Sequence, residues 1–157
     1  MTPEDKAILF RVADWIDKTK RKRVETIRQL AGTEEHYLIL ITEFDRVDAQ
    51  VRRARTLHAG ATLTLVDWFS TLEYFDWRCA YCQEKPFQIM SHVLPLPQGG
   101  TTAENCVPAC YRCGRARRKA DQHVQAYLAH VKDRYEQMQM VEGGPPLPTI
   151  PYLSDNL

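Results

Sequence analysis

A mostly helical α+β chain is the architecture this sequence predicts: an N-terminal helical arm, a small module stapled by cysteines, and a C-terminal helix. Three observations lead to it. Apolar residues recur at helical spacing through most of the first 56 positions. Two C-x-x-C pairs, Cys79/Cys82 and Cys110/Cys113, then bracket a short, partly alternating segment and a Pro/Gly-rich loop. Helical spacing resumes from Arg115. The expected organisation is a helical arm over 1–60, the module with flanking helices over 61–141, and a proline-rich tail over 142–157.

The first helix opens at Thr2-Pro3-Glu4-Asp5, an N-cap followed by proline at the first helical position and acids in the first turn. Ile8, Leu9, Val12, Trp15 and Ile16 form its apolar stripe. Val24, Ile27 and Leu30 resume that stripe after a basic run, and Gly32 ends it; the pattern fits one helix or two. Thr33-Glu34-Glu35 starts a further helix carrying Tyr37, Leu40, Ile41, Phe44, Val47 and Val51 as far as His58-Ala59-Gly60. Such amphipathic faces are core or partner-packing surfaces before they are catalytic ones. Thr64 caps a short helix through Trp68, Phe69, Leu72 and Phe75, with Asp67 completing a capping box. Phe87, Ile89, Val93 and Leu94 fit a strand, and Pro95, Pro97, Gly99 and Gly100 force a loop after it. Val124, Tyr127, Leu128, Val131, Tyr135 and Met138 make the stripe of the last helix, which Gly143-Gly144-Pro145-Pro146 breaks.

With 157 residues, 44% of them hydrophobic and 26% charged, the composition is that of a folded globular chain rather than a disordered or fibrous one. No apolar run approaches a membrane span, and the acidic, polar start is unlike a secretory signal, so the expectation is a cytoplasmic protein without a membrane partner. The formal net charge of +1 does not advertise a polyanion partner, but its distribution is uneven. Five of the six residues from Lys18 to Arg23 are basic; Arg52, Arg53 and Arg55 form a second group; Arg112, Arg115, Arg117, Arg118 and Lys119 form a third. Basic runs are ordinarily solvated helix faces. The third differs because it begins inside a cysteine pair.

Five cysteines in a reducing compartment argue against a disulfide framework. The 27 residues between the two pairs leave room for a strand, a loop and a turn, and four thiolates so arranged make a tetrahedral structural zinc site. Zinc would supply folding free energy that so small a module lacks, although thiolates also accept other soft metals. Cys106 has no partner at this spacing and reads as a small buried hydrophobe.

Between the pairs run Ser91-His92-Val93-Leu94-Pro95 through Gly99-Gly100, then Asn105-Cys106-Val107-Pro108-Ala109-Cys110. Here the chain resembles the HNH endonuclease family, matching at Cys79, Cys82, His92, Pro95, Gly99, Gly100, Asn105, Cys110 and Cys113. The arginine-rich helix end, threonine-capped helix and Arg78-Cys79 before them look like the lead-in of phage and bacterial members. The likeness covers about residues 50–121. It implies a ββα-metal fold around one divalent cation, magnesium or manganese, cutting phosphodiester bonds in DNA. It also implies that His92 is the general base and that Asn105 buttresses the loop and orients the histidine. A histidine can deprotonate water near neutral pH, and a hard cation can stabilise the charge that develops on phosphorus oxygens.

Two departures matter. Where family members carry an acidic metal ligand before the histidine, this chain has Ser91; where they carry asparagine or histidine after the last cysteine, it has Gly114. A serine hydroxyl is a poor magnesium ligand and glycine offers none, with only Glu104 or Asp121 near enough in sequence to substitute. Three readings follow: a metal-dependent endonuclease or nickase, a catalytically silent HNH-like protein that binds DNA or a protein partner, and a zinc-stapled adaptor without nucleic acid. The basic third cluster places cations where they could neutralise DNA phosphates. The amphipathic arm offers a surface for self-association or a protein partner.

Overall fold

The computed structural model describes residues 1–20, 23–116 and 121–139. As the sequence predicts, it is a mostly helical α+β structure with one small antiparallel sheet. Helix α1 (Pro3–Thr19) begins with the expected reciprocal cap, in which Thr2 and Asp5 each accept from the other's backbone N–H. It stops at Lys20, whose left-handed backbone (φ 55°) returns its N–H to the Ile16 carbonyl. Helix α2 (Val24–Ala31) is therefore a separate element, ended by Gly32 at φ 79°. Eight residues can insert only one face, so Ile27 and Ala31 are buried while Val24 and Leu30 of the predicted stripe are exposed.

Helix α3 (Glu34–Thr56) is capped by Thr33 and spans about 35 Å at 1.5 Å per residue. Helix α4 (Leu65–Tyr74) has the predicted Thr64/Asp67 box and a second cap that sequence reasoning missed. Asp17 of α1 accepts from the N–H groups of Leu65 and Val66, both at 2.9 Å, satisfying orphan donors at the positive end of α4. Strands β1 (Ile89–His92) and β2 (Cys106–Ala109) pair antiparallel, with His92 opposite Cys106 and Ile89 opposite Ala109. Strand β2 is buried along its whole length, so it shows no alternation by which periodicity could find it. The short helix α5 (Tyr111–Ala116) follows directly, and α6 (Gln122–Gln139) packs Val124, Tyr127 and Val131 inward. No helix among the described residues is long and apolar enough to cross a membrane.

The predicted arm does not stand apart. Leu9, Ile16, Ile27, Leu40, Trp68 and Phe69 belong to one continuous core with Cys79, Val107 and Val124, so packing does not break at residue 60. The sheet has only two four-residue strands and cannot bury its inner face alone, so α4 packs against β2 and is itself backed by α1 and α3. A polar chain crosses the same junction. Glu43, 5% exposed, accepts from Trp68 Nε1 at 2.9 Å and from Arg46 Nε at 2.8 Å. Arg46 in turn donates to the Gln88 carbonyl at 2.9 Å, and the Gln88 side chain accepts the Tyr111 N–H at 3.1 Å. Helix α3 is thereby tied to α4, to the entry of β1 and to the start of α5. The predicted tail over 142–157 lies outside the described residues.

Candidate functional site

Three left-handed residues, Asp76, Trp77 and Gln83, fold the chain tightly around the first cysteine pair. The Cys79 N–H donates to the Lys85 carbonyl and the Gln83 N–H to that of Cys79, while Ala80 donates to Pro108 and so fastens this turn to β2. The second pair lies at the exit of β2, where Cys113 N–H approaches Cys110 Sγ at 3.5 Å. All four sulfurs lie within 4.8 Å of one another and none is in a disulfide. Tetrahedral coordination with metal–sulfur bonds of about 2.3 Å separates sulfurs by roughly 3.8 Å, so these four cysteines can hold a metal ion with little adjustment. Backbone N–H groups, that of Lys85 above all, pull the Cys82 thiol down to about 7, toward the thiolate a metal needs. Cys106 behaves differently: it is fully buried in β2, and burial pushes its thiol up to about 12.

His92 closes β1 and is held from outside the strand. Its Nε2 lies 2.9 Å from Thr101 Oγ1, and that hydroxyl donates to the Gln50 carbonyl of α3 at 3.0 Å. Thr101 has one hydroxyl proton, and Gln50 takes it. Nε2 of His92 is therefore the donor, which leaves the lone pair on Nδ1. Thr101 is itself immobilised: it is fully buried, its N–H donates to Gly60, and its carbonyl accepts from Thr62 and Leu63. Gly100 makes this docking feasible, since a Cβ there would come within 2.6 Å of the Gly60 carbonyl oxygen.

Burial, and then the positive charge of Arg53, hold His92 down to about 4 from its ordinary 6.5. The imidazole is neutral at pH 7. Between those two values the unfolded chain binds the proton and the folded chain does not, so stability falls as pH drops through that window. Asp17 acts oppositely: burial raises it to about 6, so its contribution is lost as pH rises through that value. Replacing His92 with Gln is expected to remove about 1–2 kcal/mol of the stability otherwise lost on going from about pH 7 to about pH 4.5. Urea midpoints of wild type and variant at the two pH values measure this, and equal losses would contradict it.

Asn105 holds the loop. Its Oδ1 accepts the Leu94 N–H at 2.9 Å, and its Nδ2 donates to the carbonyls of Leu94 and Gly100 at 2.9 and 2.8 Å. Its backbone carbonyl also takes the Val93 N–H. These bonds tie Asn105 to the loop after β1, while the hydrogen bond to the His92 ring comes from Thr101. Both Nδ2 protons of Asn105 go to backbone carbonyls of the loop, leaving it no donor for the ring.

Ser91 is buried on the strand face opposite to His92, and its side chain hydrogen-bonds Tyr81. Gly114 packs against β1 so closely that a Cβ would come within 2.5 Å of Ile89 Cδ1. Asp121 caps α6 through the His123 N–H at 2.9 Å, and Glu104 is exposed. Among the described residues, the four cysteines are the only grouping of three or more His, Cys, Asp or Glu able to hold a metal ion. Neither Ser91 nor Gly114 brings a carboxylate to the neighbourhood of His92. Arg112 and Arg115 are exposed on α5, while Arg117, Arg118 and Lys119 lie outside the described residues. Sequence reasoning had grouped Arg53 only as part of a basic cluster, and no sequence signal marked Thr101 or Gln50.

The chain is thus a mostly helical α+β protein with four clustered cysteines that could hold a metal ion and a hydrogen-bonded, neutral histidine. Comparison with protein-family models, curated proteins and solved structures finds no match to it.

Proposed function

We propose that this protein binds DNA through an HNH-like scaffold stapled by zinc, with its divalent-metal ligand positions lost. The observation that carries the reading is the order His92, Asn105, Cys110, Cys113 within one folded unit, with Asn105 stapling the loop after His92. Zinc held by Cys79, Cys82, Cys110 and Cys113 would have no open position, so it would supply folding free energy rather than reaction chemistry. Arg112 and Arg115, with the basic residues that follow, would neutralise DNA phosphates and make binding strongly salt-dependent. The missing carboxylate at Ser91 and the packed Gly114 favour binding over magnesium-dependent cleavage.

One observation favours the second reading, a DNA nickase. His92 is neutral and held in one tautomer with the Nδ1 lone pair unengaged, the protonation state a general base needs, although a pKa of about 4 makes it a weak base. Supercoiled plasmid with magnesium or manganese separates the two. Wild type is expected to retain plasmid at low salt and leave it supercoiled. Nicking by wild type that His92→Ala abolishes would establish the enzyme and overturn the silent reading. Failure of wild type to retain plasmid at any salt would overturn both and leave the adaptor. The combination Ser91→Asp, Gly114→Asn and Ile89→Ala, the last making room for the new Cβ, asks whether restored ligands restore cutting.

A further inference from the structure

A cavity that neither His92 nor the cysteine sulfurs use lies between the end of α4, the turn around the first cysteine pair and the first turn of α6. Its volume is about 730 Å³, within the range of small-ligand pockets, and Tyr74, Phe75, Arg78, Gln83, Gln122 and His123 line it. The aromatic wall is preset. Tyr74 ends α4 and is 53% exposed, yet three neighbours hold its ring: Phe75 edge-on with centroids 4.9 Å apart, Tyr127 at 4.7 Å, and His130 nearly parallel, at 24° and 6.3 Å. A ring already fixed in place loses little freedom when a second ring lies on it. Arg78 is the only lysine or arginine in the wall, and it is engaged: Nη1 donates to the Glu84 carbonyl at 2.8 Å, and Nε lies 3.8 Å from Asp76, which also faces the cavity. A flat, uncharged group with a polar edge therefore suits the cavity better than an anion. Gln83 and Gln122 bring carboxamides, each a donor and an acceptor, and neither has a side-chain hydrogen bond among the described residues. A carboxamide is the group that pairs with the N6 and N7 edge of adenine.

We propose that this cavity is a nucleobase site, in which an unstacked adenine lies on the Tyr74 ring and the carboxamides of Gln83 and Gln122 hold its amino edge. Every base has a π face, so stacking alone tolerates any sequence, and the amides supply the preference for adenine. The cavity and its ring geometry carry the site; that the adenine belongs to DNA rests on the function proposed above. A base reaches such a cavity only from outside the duplex stack, so the strand that enters is single or locally opened. The plain structural alternative is that Tyr74 only packs the end of α4 against α6.

Deoxyadenosine and thymidine titrated into the full, metal-loaded chain, with the backbone amide resonances around Tyr74 and Gln122 followed by NMR, test the site without phosphate or cleavage. Saturable shifts are expected with deoxyadenosine, with affinity lowered about tenfold in Tyr74→Leu and nearly unchanged in Tyr74→Phe. Gln122→Ala is expected to remove most of the preference over thymidine. No saturable shift in wild type, or equal affinities for wild type and Tyr74→Leu, would overturn the site; equal affinities of wild type for the two nucleosides would overturn its assignment to adenine. In parallel, single-stranded oligo-dA is expected to bind more tightly than oligo-dT and to lose that margin in Tyr74→Leu. If deoxyadenosine binds through Tyr74 but neither oligonucleotide nor plasmid is retained, the nucleobase site stands and the DNA-binding reading falls. Plasmid retained at low salt without any nucleoside shift has the opposite meaning. Tyr74 and Gln122 are exposed, and circular dichroism verifies that each variant is folded.

Discussion

Cys110→Ser is expected to abolish stoichiometric zinc binding and to lower stability by about 5 kcal/mol or more. Structural zinc contributes about 10–16 kcal/mol in isolated zinc-finger peptides; here part of the module is also held by a shared core, so the loss is smaller. What the metal ties down is identifiable. Cys79 and Cys82 lie before β1, Cys110 directly follows β2 and Cys113 is in α5, so one ion held by all four would cross-link segments separated by 27 residues. Serine supplies no soft thiolate, and three sulfurs leave a coordination position for water. Elemental analysis and urea unfolding in excess zinc provide the readouts. Cys106→Ala is the matched control, expected to cost about 1 kcal/mol through a small cavity and to leave metal content near one. A Cys110→Ser protein that keeps both its zinc and its urea midpoint would refute the four-cysteine centre.

The second large effect is expected at a residue without any part in the chemistry. Glu43→Ala should destabilise the fold by about 3 kcal/mol, because it leaves the fully buried Trp68 with an unsatisfied indole N–H and removes the carboxylate paired with Arg46. Arg46 also bonds the Gln88 carbonyl and lies over the Phe87 ring at 5.2 Å, so its displacement reaches the entry of β1. Combining Glu43→Ala with Trp68→Phe should recover part of the loss, since the second change removes the orphaned donor. Denaturant melts of the two single variants and the double variant check this. Fully additive losses would show that the Glu43–Trp68 bond carries little of the effect.

Much of the local structure was legible because its signals are local. Thr2, Thr33 and Thr64 each cap a helix within three residues of themselves, Gly32 stops one with a positive φ, and each C-x-x-C pair brings its own sulfurs together. The burial of Cys106 followed equally well from its lack of a partner. Other elements gave no such signal. Strand β2 is buried throughout, leaving no polar alternation, and Val24 and Leu30 satisfied helical periodicity while facing solvent because α2 is too short to bury a whole stripe.

The sequence by itself therefore determined where α1, α3 and α4 start, which four cysteines converge, and that neither Ser91 nor Gly114 brings a carboxylate, while the starts of α2, α5 and α6 carried no such signal. Those properties reside in single side chains and in spacings of two to four residues. Only the tertiary structure decided that the helical segment shares one core with the module, and that Thr101 rather than Asn105 hydrogen-bonds His92. These depend on contacts such as Thr101 to Gln50, 51 residues apart, and Trp68 to Glu43, 25 apart. Hydrogen bonding at such separations is set by how whole helices pack, and the packing leaves no periodic trace in the chain.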